Sequence, residues 1–102
     1  MKITVNHIKD SNGGHNPTST ANQILKQALG EGATTGWHPY PGITLKALSS
    51  NYGYHENPLQ GIQMTVGDYG SKTMRRVMIK RDGTIDLDDI KAKFAELKAI
   101  KR

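Results

Sequence analysis

"GIQMTVGDYGSKTMRRVMIKR", Gly61 to Arg81, decides how this chain folds. Ile62 to Val66 and Met74 to Arg81 are strand-like runs, and only "GDYGSKT" separates them. That connection is too short for a helical crossover, so the two runs must pair antiparallel. A third run, Ile43 to Leu48, precedes them across "SSNYGYHENPLQG", again with too little chain for a crossover. The three therefore form a meander.

Working outward, Lys2 to Lys9 reads as a further strand with Ile3 and Val5 on one face. "DSNGGHNP" breaks it with two glycines beside Asn, Asp and Ser. A helix follows. Asn16 is a suitable cap, Pro17 suits the first helical position, and Ala21, Ile24, Leu25, Ala28 and Leu29 line one face. Gly30 is the natural terminator. "EGATTGWHPYPG" is irregular, and Asp82-Gly83 gives a tight turn out of the meander. A last helix starts near Asp86, with Leu87, Ile90, Phe94, Leu97 and Ile100 on one face. The expected fold is α+β, in the order β-α-β-β-β-α. Its antiparallel three-stranded meander, which the N-terminal strand can join, packs against two helices in a single domain spanning residues 1–102.

Composition bounds the function. A chain of 102 residues buries about two thirds of its unfolded surface. With 35% apolar residues, the core should be thin and largely aliphatic. Fourteen Lys and Arg against nine Asp and Glu give a net charge of +5, which speaks to partners rather than to fold. The absence of cysteine removes disulfides, thiolate metal sites and thiol catalysis. "MKITVNHIKD" alternates polar and apolar residues instead of forming a signal peptide's apolar core, and no run approaches a membrane span. A cytoplasmic, soluble protein is expected.

No segment has the form of a complete active site. Successive residues on a helix point about 100° apart, so Asp86, Asp88 and Asp89 do not converge on a metal; capping and the helix dipole account for them. "GDYGSKT" lacks the spacing of a phosphate-binding loop, and a strand rather than a helix follows it. His7, His15, His38 and His55 show no metal-ligand spacing, and no serine lies in a nucleophile elbow. Neither a cofactor nor a metal is implied. Trp37 and Tyr40 in "GWHPYPG", with Tyr52 and Tyr54 in "NYGYHENP", are candidates for base stacking or a protein interface. They serve equally well as bulk closing the ends of a thin core.

The basic run carries the functional signal. Lys72, Arg75, Arg76, Lys80 and Arg81 arrive with no acid among them. On a strand, Val77 and Ile79 mark the core face, with Arg75 and Arg81 at its rims. Arg76 and Lys80 then stand about 13 Å apart on the exposed face, and Lys72 extends the patch. Such a patch could follow a phosphate backbone. Exposed cations also protect an unpaired sheet edge, which is the competing explanation. "GYHENPLQGIQMTV", in an α-β-β-β-α order, resembles the His-containing loop and second strand of double-stranded-RNA-binding domains. That family opens its last helix with lysines, where this chain has Asp86, Asp88 and Asp89, so no family residue is carried over. The resulting expectation is a small non-enzymatic module that binds DNA or RNA. The alternative is a small adaptor or inhibitor that engages a partner protein through aromatic loops or an open sheet edge.

Overall fold

A computed structural model describes residues 1–36, 42–49, 58–67 and 73–100. The elements are β1 (Lys2–Thr4), α1 (Pro17–Leu29), β2 (Ile43–Leu48), β3 (Gly61–Val66), β4 (Thr73–Met78), β5 (Thr84–Asp86) and α2 (Leu87–Ile100). The fold is α+β. β2, β3 and β4 form the antiparallel meander, with Leu45 opposite Met64 and Met64 opposite Arg75.

The N-terminal strand does not join the meander. β1 pairs antiparallel with β5, a three-residue strand absent from the sequence reading, which left Thr84 and Ile85 unassigned and started the last helix near Asp86. Lys2 to Lys9 is also strand for only part of its length. The Val5 N–H still reaches the Gly83 carbonyl at 2.9 Å. Further along, the Ile8 N–H donates to the Thr20 hydroxyl and the Ile8 carbonyl accepts from the Asn16 N–H. Those polar groups at the head of α1 draw the segment away from a ladder.

α1 begins as its sequence dictates. Asn16 Oδ1 accepts from the Ser19 N–H at 3.0 Å, and Pro17 occupies the first turn. Asn16 Nδ2 in turn donates to Asp10 at 2.8 Å, which ties the preceding turn to the helix. The Gly30 N–H closes the other end on the Lys26 carbonyl.

The core joins both helices to one face of the meander. Ala21, Ile24, Leu25 and Ala28 of α1 meet Ile90, Phe94 and Leu97 of α2 over Ile43, Leu45, Ile62, Met64, Val66 and Val77. β1 and β5 add Ile3 and Ile85. Since Phe94 is 5% exposed and central to α2, Phe94→Ala should cost about 3–5 kcal/mol in urea denaturation. Lys91→Ala, on the exposed face of the same helix, should stay within about 0.5 kcal/mol.

The start of α2 follows the capping expectation. Asp86 Oδ1 accepts from the Asp88 N–H at 3.0 Å, and the Met1 ammonium lies 3.3 Å from the same oxygen and against the Asp88 carboxylate. Asp89 pairs with Lys93 one turn on, at 2.7 Å. Partial desolvation pushes the Asp86 carboxyl up, but the Asp88 N–H and the nearby ammonium outweigh it, so the group titrates below its ordinary value. A depressed carboxyl stabilises the fold fully above that ordinary value and loses its contribution as pH falls through the folded one. Asp86→Ala should therefore lower Tm by about 5 °C at pH 7. Calorimetry from pH 7 down to pH 2 should show the gap between variant and parent closing at the acid end.

Candidate nucleic-acid interface

Both helices cover one side of the meander, and no described element covers the other. The alternation that buries Ile43 and Leu45 in β2, Ile62, Met64 and Val66 in β3, and Val77 in β4 turns the intervening residues outward. Register sets them in three rows across the sheet: Thr44–Thr65–Met74, Lys46–Gln63–Arg76 and Leu48–Gly61–Met78. The middle row places two cations on the outer strands, about 10 Å apart by strand spacing. No acid occurs in the nine positions.

The central contact of this face has a backbone cause. The Ile79 N–H donates to the Gln60 carbonyl at 2.8 Å, so by two-residue alternation Gln63 and Arg76 form a non-hydrogen-bonded pair. In such pairs the side chains stand closest, and Arg76 Nε donates to Gln63 Oε1 at 3.0 Å. Beside them, Thr44, Lys46, Gln63, Thr65 and Gly67 line a shallow depression of about 290 Å³. At the end of the face, a Cβ on Gly61 would lie 2.7 Å from both Met78 Sδ and the Val77 carbonyl oxygen. The missing side chain lets Met78 lie over the central strand.

The basic run divides among several tasks. Arg76 is exposed on the open face. Arg75, half-buried on the opposite face, reaches Glu96 of α2 through Nε at 3.0 Å and donates from Nη1 to the Met74 carbonyl at 2.9 Å. By the same alternation, Met74, Arg76 and Met78 direct their backbone groups toward the outer side of β4, which is an edge strand. Arg75 thus satisfies one carbonyl of the open edge and fastens α2 to it. Lys80 and Arg81 were expected on the strand, but β4 ends at Met78 and both lie exposed in the following turn. The turn closes through the Gly83 N–H to the Lys80 carbonyl at 2.9 Å, and Gly83 takes φ +88°, which a side chain would disfavour. Lys72 and the aromatics Trp37, Tyr40, Tyr52 and Tyr54 lie outside the described residues.

Lys46 and Gln63, which the sequence reading did not single out, are the residues that pairing places beside Arg76. Their signal was the alternation of the two earlier strands, read jointly with register rather than by clustering of charge along the chain. Among the described residues no three His, Asp or Glu side chains converge as a metal site requires. His7 and His15 do meet, edge to face, with ring centroids 5.8 Å apart. No helix of the described residues is long and apolar enough to cross a membrane. Comparison with protein-family models, curated proteins and solved structures gives no match.

Removing Arg75 separates edge protection from ligand contact. Arg75→Met should cost less than about 1 kcal/mol, because its ion pair with Glu96 remains open to solvent on the Glu96 side and Met keeps the apolar stem. Light scattering at high protein concentration should nonetheless show increased self-association, since the edge has lost its guard.

Proposed function

We propose that the protein is a small, non-enzymatic, cytoplasmic nucleic-acid-binding module whose open sheet face meets the phosphate backbone of DNA or RNA. The observation that supports this reading is the row Lys46–Gln63–Arg76, with two cations on a face that carries no acid. At about 10 Å in water, two like charges repel by only about 0.4 kcal/mol, so the fold tolerates the arrangement easily. Phosphates laid across the row relieve that repulsion and release their counterions. Lys80 and Arg81 in the turn after β4, together with Lys72, supply further phosphate contacts in this reading. Trp37, Tyr40, Tyr52 and Tyr54 supply stacking in this reading.

One observation favours a second reading. Met74 and Met78 are 44% and 47% exposed on the same face, beside the open edge of β4. Adaptable apolar side chains at a strand edge suit a protein partner, as in a small adaptor or inhibitor.

Mobility-shift titrations with single- and double-stranded DNA and RNA at 50 and 200 mM salt separate the two. Wild-type protein should bind at least one of the four, more weakly at the higher salt. Lys46→Ala with Arg76→Ala should weaken that binding at least tenfold and flatten the log–log salt slope by up to about 1.8 on duplex DNA. Tm should hardly move, because both side chains are exposed. Failure of the wild-type protein to bind any of the four, or unchanged binding by the double variant, removes the nucleic-acid reading.

A further inference from the structure

Gln63 has an unusual position for an amide, between two cations on the central strand of an open face. A glutamine is ordinarily two-sided, offering one carbonyl acceptor and two N–H donors. Here the carbonyl is engaged, because Oε1 accepts from Arg76 Nε at 3.0 Å. That bond occupies one of the carbonyl's two lone pairs and leaves both amide N–H donors open. It also fixes the plane of the guanidinium while its terminal nitrogens remain available, and such a fork matches two oxygens of one phosphate. Lys46, on the other side of Gln63, offers three N–H donors and no acceptor. The middle row therefore presents donors across its whole width. Acceptors are few on the face: the remaining lone pair of Gln63 Oε1 and the hydroxyls of Thr44 and Thr65, one row away.

A row made mainly of donors matches acceptors only, so of the base edges in the major groove it meets groups such as guanine O6 and N7 and leaves the amino groups of adenine and cytosine largely unread. Phosphate oxygens only accept. Flat aromatic platforms are the other route to base contact, and none of the nine positions is aromatic. Resting on the nucleic-acid reading above, we infer that this face binds the sugar-phosphate backbone without regard to base sequence. Gln63 acts as the positioning residue that holds Arg76, while its own amide adds two N–H donors to the row. The depression bounded by Thr44, Lys46, Gln63, Thr65 and Gly67 seats one phosphate, and the Arg76 fork takes a neighbouring one.

Fluorescence anisotropy with labelled 20-nucleotide strands and 20-base-pair duplexes of AT-only, mixed and GC-rich sequence tests this at 100 mM salt. Within one strandedness, Kd should vary less than fivefold, and inorganic polyphosphate, which has no bases, should displace the bound oligonucleotide. Gln63→Leu should weaken every probe by the same factor, at least fivefold, with Tm unchanged. Where Leu disturbs the strand, Gln63→Thr serves instead, since it keeps β-propensity and cannot reach Arg76. In an Arg76→Ala background the same Gln63 substitution should have less than half its effect on log Kd, because most of its action passes through Arg76. Sequence-dependent affinity of fivefold or more, or failure of polyphosphate to compete, overturns backbone recognition while leaving nucleic-acid binding in place. Equal Gln63 effects with and without Arg76 overturn the positioning role. No binding of any probe overturns both the inference and the reading beneath it.

Discussion

Everything else in the molecule depends on the two-sidedness of β3. Ile62, Met64 and Val66 are almost wholly buried under the helices, while Gln63 and Thr65, between them, look the other way. Burying three such side chains contributes several kcal/mol, so the strand cannot slip by one residue without exposing all of them. The register that hydrophobicity imposes on the inner face is the register that brings Lys46, Gln63 and Arg76 into line on the outer one. Core and candidate site are two consequences of one alternation.

Placing both helices on the same side has a further effect. α1 lies on β2, and α2 on β3 and β4, so each half of the meander has its own cover and the helices also pack on each other. One face of the sheet is then committed to stability, and the other is left to surface chemistry. The small core explains why so little can be spared for both. Phe94 is the only aromatic residue among the described core, and the remainder is aliphatic apart from Met64.

Much of this was legible in the sequence, and the misses have physical causes. α1 was readable at both ends because capping is local: Asn16, Pro17 and Gly30 announce themselves within a few residues. The meander was readable because short connections leave no alternative. β5 was not, since three residues show no periodicity and its partner β1 lies at the far end of the chain. The basic run was found as a cluster, yet clustering along the chain does not determine which side of a strand a charge occupies. Arg75 and Arg76 are adjacent in sequence, but one clamps a helix and the other stands on the open face. Lys46 went unnoticed because it is a solitary cation between Leu45 and Ala47, and only pairing across β3 brings it to Arg76.

The β1–β5 ladder bears on the order in which the molecule assembles. Thr4 pairs with Thr84 and Lys2 with Asp86, so this ladder closes a loop of about eighty residues with only three residue pairs to compensate. The meander ladders close loops several-fold shorter and gain twice as many pairs. Chain entropy therefore favours the meander as the earlier structure and the β1–β5 ladder as the later one. Its opening also releases the bond from the Leu87 N–H to the Met1 carbonyl. The start of α2 and the first strand are thereby coupled, and separating them would also uncover Ile85 and Leu87, which belong to the core.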